Sequence, residues 1–208
     1  QLKLGDLYEI WGRGLVLNSV DDQSIDRDTG IRGLTLLYNN DSFSSQFVAG
    51  KADINQSTIN ALGFNNRTHN YQVSHNLYGL TIQKFIRNHD LGFSFLQGLE
   101  KHPVNTFPSD TIEIKNQFHS LNYSYDNPLF DFYSEYIISK SYVFDEDRWK
   151  SHSNGRGLYS NLNLYFNLFS LNLEYINYRY SSIDPISRFN IVDYYGNSQP
   201  YQNPSALI

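Results

Sequence analysis

The chain has 208 residues, a formal net charge of -5, 16% aromatic and 18% charged residues, and neither Cys nor Met. Without Cys there are no disulfides and no thiolate metal sites, and the mild acidity argues against a nucleic-acid partner. No run comes near eighteen apolar residues, so no transmembrane helix is expected. A transmembrane β-strand needs only about 9–11 residues of alternating polarity and escapes that test.

Tyr- and Phe-rich stretches with Asn and Ser at the intervening positions suit sheet rather than helix. Nine strand candidates follow in chain order. The first covers Leu2–Leu17 and is interrupted by Gly5, Gly12 and Gly14. The second, Ile31–Tyr38, holds Leu34, Leu36 and Tyr38 on one parity. The third is Ser42–Asp53, and the fourth, Asn70–Ile86, carries apolar residues on both parities. The fifth, Leu91–Gln97, has Leu91, Phe93 and Phe95 in phase. The sixth, Thr111–Tyr125, changes phase near Asn116, which predicts a bulge. The seventh, Leu129–Phe144, sets Phe130, Phe132, Tyr136 and Ile138 against Asp131, Tyr133 and Glu135.

The eighth and ninth form a hairpin within Arg156–Tyr180, turning near Asn167. Here Leu158, Leu162 and Leu164 oppose Tyr159, Asn161 and Asn163, and after the turn Phe169, Leu171 and Leu173 oppose Ser170, Asn172 and Glu174. Period-two alternation places such sets on opposite faces of a strand.

The connections alternate between long polar segments and short turns. NSVDDQSIDRDTG, INQSTINALGFNN, GLEKHPVNTFPSD and DEDRWKSHSNG are long; NND, RNHD, YDN and the turn at Asn167 are short. In an antiparallel meander this sorts the long loops to one end and the short turns to the other, as in outer-membrane barrels. The expected fold is therefore all-β: an antiparallel up-and-down meander of about nine or ten strands, forming part of a transmembrane β-barrel. Bacterial single-chain barrels have even strand numbers, and Asn203–Ile208 reads as the approach to a further strand. The expected domain is a single one over 1–208, a fragment of a larger barrel.

The stretch GDLYEIWGRGLVLNSVDDQSIDRDTGIRGL (Gly5–Leu34) resembles the DUF6029 family, uncharacterised outer-membrane proteins of Bacteroidota. Members look like GDFYEQFGRGL, an acidic loop, a short Asp-containing segment and an LRG-type strand. The ending Asn203–Leu207 is similar to an NPP-x-L element that leads into more strands there. The chain departs from the family after Leu17, where Val20-Asp21-Asp22-Gln23 stands in place of a Tyr-Glu-x-Arg run. The resemblance implies a bacterial outer-membrane location and a barrel larger than this chain. It implies no settled activity.

Lipid-facing candidates are Phe130, Phe132, Leu158, Leu162, Phe169 and Leu171. Lumen candidates are Asp131, Glu135 and Glu174 from the alternation, with Glu9, Arg13 and Arg32 as a charged wall or constriction, because opposed charges across a pore filter solutes. A lipid-facing Arg costs roughly 2–4 kcal/mol at the midplane, which favours inward positions for Arg13 and Arg32. Asp21–Asp28 fits a solvated loop better than a Ca²⁺ site, since it lacks the EF-hand pattern. Trp11, Tyr142, Trp149, Tyr194 and Tyr195 are candidate interface or loop aromatics. The six histidines show no metal-ligand spacing and no GxSxG nucleophile motif is present, so neither metal, cofactor nor enzyme is expected.

The sequence thus points to a porin-like barrel passing small polar solutes through its lumen, with outer-membrane lipid as its surroundings. The alternatives are a structural barrel without conductance, docking other outer-membrane proteins through its long loops, and a soluble all-β binding protein with its apolar faces inside.

Overall fold

The structure, a computed structural model, describes residues 1–19, 21–22, 27–56, 71–104, 107–145 and 147–179. Among these residues eleven strands occur: β1 (Leu2–Leu7), β2 (Asp21–Asp22), β3 (Arg27–Asp28), β4 (Ile31–Asn40), β5 (Phe43–Gln56), β6 (Tyr71–Ile86), β7 (His89–Val104), β8 (Phe107–Asn127), β9 (Phe130–Asp145), β10 (Arg148–Tyr165) and β11 (Ser170–Arg179). Nine form one antiparallel meander in the order β1-β4-β5-β6-β7-β8-β9-β10-β11, and β2 and β3 make a separate small ribbon. The fold is all-β, and β1 and β11 are the two edges of the large sheet, not paired with one another.

The short turns lie together at one end. At two of them an Asn closes the turn on itself: Asn40 Oδ1 accepts from the Ser42 N–H at 3.0 Å, and Asn127 Oδ1 from the Leu129 N–H at 3.0 Å. This is the local bonding that makes Asn a turn residue. Arg87 takes a left-handed φ of 54° in a third turn. At the fourth, the Phe166 N–H donates to the Phe169 carbonyl at 2.9 Å and the two rings stack 4.6 Å apart.

The two faces of the sheet differ in kind. One face, called inner here, buries Ile31, Val48, Leu77, Leu96, Phe118, Ile137 and Tyr159, one from each of seven consecutive strands, in a single cluster with Leu7. Seven strands laid flat would span about 29 Å; the sheet curls around this cluster, bringing Gln46 of β5 and Glu135 of β9 within reach of Trp11 and Arg13, which are two residues apart in the chain. The curl is helped where Gly5, Gly33 and Gly50 stand in register, because a Cβ on Gly33 would fall 2.6 Å from the Gly50 Cα.

What fills the curl is the chain after β1. Tyr8–Ser19 turns back over the inner face as a tight loop, with a bridge between Ile10 and Asn18 and backbone bonds from Trp11 N to Leu17 O (3.0 Å) and from Gly14 N to Trp11 O (2.8 Å). Trp11, Leu15, Val16 and Leu17 of this loop are buried in the inner cluster. The expected first strand, Leu2–Leu17, therefore ends at Leu7. Its odd positions Leu7, Trp11, Leu15 and Leu17 are apolar as a strand's would be, but the positive φ of Gly12 (57°) and Gly14 (76°) turns the backbone out of extended form. Trp11 is accordingly a core residue and not an interface aromatic.

Two further expectations change and a third is explained. The register of β8 with β9 runs unbroken from Ile114↔Val143 to Asn127↔Phe130, so there is no bulge at Asn116. The phase change in the sequence arises because Asn116 is a polar residue on the inner face between Ile114 and Phe118. Register shifts occur instead between Ser151 and Ser153 of β10 and between Pro103 and Val104 of β7. Two of the four long loops are largely strand: β7 reaches Val104 and β8 starts at Phe107, while β9 ends at Asp145 and β10 starts at Arg148. Antiparallel pairing lets polar strands continue as hairpins, so polarity alone does not mark where a strand stops. The mixed parities of the fourth strand reflect apolar residues on both faces of β6, with Leu77 on the inner cluster and Tyr78 and Ile86 exposed opposite.

Candidate functional site

The inner face carries three polar groups of residues around the docked loop. The first is where the loop meets β9 and β10. The Arg13 N–H donates to Glu135 Oε2 at 3.1 Å and the Tyr133 hydroxyl donates to the same oxygen at 2.8 Å. Glu135 is only 1% exposed, so its carboxylate depends on these donors, since a buried charge without hydrogen bonds is strongly disfavoured. The loop reaches it because position 12 is Gly: a Cβ there would lie 2.7 Å from Glu135 Oε2. The Arg13 guanidinium itself stays exposed, 5.5 Å from the centre of the Tyr133 ring and 5.4 Å from that of Tyr159. Both distances suit cation–π attraction.

The second group continues toward the short turns. The Tyr165 hydroxyl donates to Asp131 Oδ1 at 2.8 Å, and Asn163 Nδ2 reaches Asp131 Oδ2 at 3.2 Å and Asn161 Oδ1 at 3.0 Å. Asn172 donates to Asn163. Glu174 pairs with Asn161 across β10 and β11, on this same face. The third group lies toward the other end. There His75 Nδ1 is 3.7 Å from Glu100 Oε1, Asn116 donates to the same oxygen, and the Ser141 hydroxyl reaches Asn116 Oδ1 at 2.5 Å.

On the far side of the loop, the Trp11 Nε1–H donates to Gln46 Oε1 at 2.9 Å, and Gln46 in turn donates to Thr35 Oγ1 at 3.1 Å. The Trp11 ring covers Gly79, where an added Cβ would meet it at 2.9 Å. One loop thus spans from β5 and β6 to β9 and β10 across the curl.

The sequence-predicted site residues fall as follows. Asp131, Glu135 and Glu174 share the inner face, and Arg13 joins them from the loop rather than from a strand. Glu9 belongs to the same loop, its carbonyl accepting from the Ser19 N–H at 2.9 Å. Arg32 does not join them: it pairs with Lys51 across β4 and β5 on the outer face, its Nε 3.5 Å from Asp6 Oδ1. The cost that argued for turning it inward applies at the midplane, and Arg32 stands at the end of its strand with a carboxylate beside it. Asp21, Asp22, Arg27 and Asp28 form the β2–β3 ribbon; the middle of that loop, and Tyr194 and Tyr195, lie outside the described residues.

Phe130, Phe132, Leu158, Leu162 and Leu171 lie on the outer face; Phe132 pairs with Leu162, and Phe130 and Leu171 flank Leu164 as its partners on either side. Phe169 stands in the turn beside Phe166. They are part of a larger surface. Leu4, Leu36, Phe47, Tyr78, Leu91, Phe93, Leu121, Tyr136, Ile138, Leu173 and Tyr175 all point outward and are exposed. The apolar belt crosses every strand of the sheet. On β9 it runs from Phe130 to Ile138, about 27 Å along the strand. Above it, toward the ends away from the short turns, the outward positions turn charged: Arg32 with Asp6, Lys51 with Asp53 at 3.0 Å, and Lys101 with Glu113 at 2.7 Å.

Sequence reasoning missed His75, Glu100, Asn116 and Gln46 as inner-face polar residues. Their signal was present as polar residues in phase with buried apolar ones, but a strand with apolar residues on both faces hides that phase. In comparisons with protein-family models, curated proteins and solved structures, nothing matches this chain. The Gly5–Leu34 stretch that carries the DUF6029 resemblance is the docked loop with its two flanking strands and the β2–β3 ribbon.

Proposed function

We propose that this chain forms an arc of a membrane-spanning β-barrel of the bacterial outer membrane, with a porin-like polar inner face along which small polar solutes pass. The observation that carries the reading is the broad exposed apolar belt of the outer face, broken on β9 and β10 by the Ser134–Ser160 pair, set against an inner face where hydrogen-bonded carboxylates, amides and hydroxyls stand beside the buried cluster. A belt about 27 Å long along the strand comes to about 21 Å at the tilt of such barrels, close to the roughly 25 Å apolar band they present to lipid. In hydrocarbon every strand edge must be paired, so β1 and β11 pair with further strands, and the arc is part of a larger barrel. The Gly5–Leu34 resemblance agrees with this. Passage runs beside the docked loop, past Arg13, Asp131 and Glu174, where charges of both signs orient a polar solute.

A second reading is favoured by the loop itself. Tyr8–Ser19 fills the inner face between β5 and β10, which suits a structural barrel that docks other outer-membrane proteins and conducts nothing. A soluble binding protein would need the exposed apolar outer face covered.

The test is a gel of the protein from envelope membranes, unheated and heated in SDS, followed by planar-bilayer recording. A heat-dependent mobility shift with stepwise current supports the porin-like reading. A shift without current supports the second reading. A folded, monodisperse protein free of detergent defeats both.

A further inference from the structure

We propose that Arg156, Arg179 and Lys140, with Lys115 beside them, form a docking site for a phosphorylated lipid headgroup whose acyl chains lie on the apolar belt below. This rests on the membrane reading above. Arg156 and Arg179 are direct cross-strand partners of β10 and β11, and both are exposed on the outer face. Like charges directly opposite one another on a sheet are destabilising. Lys140, opposite Asn154 on β9, adds a third cation one outward position from Arg156. Lys115 of β8 extends the cluster, its Nζ 4.5 Å from the centre of the Trp149 ring and 4.9 Å from that of Tyr142.

Among the described residues, nothing anionic on this part of the sheet offsets them. Among the described residues, no outward position of β9, β10 or β11 is acidic. The acidic residues that do face outward, Asp6, Asp53 and Glu113, are each engaged by another cation, at 3.5, 3.0 and 2.7 Å. A phosphate is the natural counter-ion for two neighbouring guanidinium groups, because each offers paired N–H donors to its oxygens. The position selects a lipid phosphate over a free one. The cluster sits on an open face, not in a pocket, and Ile138 and Leu158 occupy the adjoining outward positions. Only an amphiphile gains from both surfaces at once.

The experiment uses the full chain reconstituted in phosphatidylcholine vesicles containing a trace of spin-labelled phosphatidic acid or spin-labelled phosphatidylcholine. The motionally restricted fraction of each label gives the lipid selectivity. We expect phosphatidic acid to be preferred about threefold, R179Q to reduce that preference and R156Q/R179Q to abolish it. K84Q, an outward cation near the short turns, is expected to leave it intact, and orthophosphate at matched ionic strength is not expected to compete. An unchanged preference in R156Q/R179Q overturns the proposal, and so does loss of the preference on adding orthophosphate, which would mark a free-anion site. Restricted phosphatidylcholine without any preference for phosphatidic acid overturns the headgroup site alone. No restricted component for either label overturns the membrane reading with it.

Discussion

Replacing Trp11 with alanine tests whether the loop is a fixed part of the inner face of the sheet. Trp11 is 3% exposed, its ring covers Gly79, and its Nε1–H donates to Gln46 at 2.9 Å. Truncating a buried Trp to Ala costs about 3–5 kcal/mol through lost burial and the cavity left behind. The lost hydrogen bond lies within that sum and contributes about 0.5–1.5 kcal/mol. Gln46 keeps its bond to Thr35, so only one of its atoms loses a partner. Trp11→Phe separates the two terms: it retains most of the ring and loses the donor, with an expected cost of about 1–2 kcal/mol. The measurement is equilibrium unfolding in urea of the chain refolded in detergent micelles, followed by the fluorescence of Trp149, which both variants keep. A loss below about 1 kcal/mol for Trp11→Ala would refute the packing described, because a side chain that contributes so little is not buried under seven strands.

Substitutions at two other positions probe the two faces. Glu135→Ala removes the acceptor of both the Arg13 N–H and the Tyr133 hydroxyl, and is expected to cost about 1–3 kcal/mol in the same unfolding assay. Glu135→Gln, which keeps an acceptor oxygen, costs less; equal effects would mean that the loop is not anchored there. On the outer face Leu121, 62% exposed and central in the belt, is replaced by arginine. In a bilayer this costs about 2–4 kcal/mol, whereas at a water-exposed position it stays within about 0.5 kcal/mol; a near-zero effect in reconstituted vesicles contradicts a lipid-facing belt.

The faces of β9, β10 and β11 were legible in the sequence because each of these strands keeps one greasy and one wet side: Phe130, Phe132 and Leu162 against Asp131, Asn161 and Asn163. The short turns were legible because Asn40 and Asn127 close them locally. The inner core was not. Leu7, Trp11, Leu15 and Leu17 repeat with the parity of a strand, and nothing in their order distinguishes a strand from a loop folded against the curl of a sheet. The glycines Gly12 and Gly14 were the signal, and their meaning becomes plain only with Glu135 beside Gly12. Arg32 was misplaced for a different reason: its parity is that of Leu34 and Leu36, and only the cost of a charge on that face argued for turning it inward, whereas Arg32 lies at the strand end with Asp6 beside it.

The most direct test of the central claim uses the absence of Cys from the chain. Single cysteines introduced along β9, at Phe130, Asp131, Phe132, Tyr133, Tyr136 and Ile138, carry an environment-sensitive fluorophore in chains reconstituted into vesicles. Each is then challenged with a nitroxide buried in the lipid and with iodide in the water. The account predicts strong lipid quenching at Phe130, Phe132, Tyr136 and Ile138 and none at Asp131 and Tyr133, alternating with period two. Quenching by iodide at the first set, or lipid quenching without alternation, would contradict a sheet that turns its apolar face to the membrane.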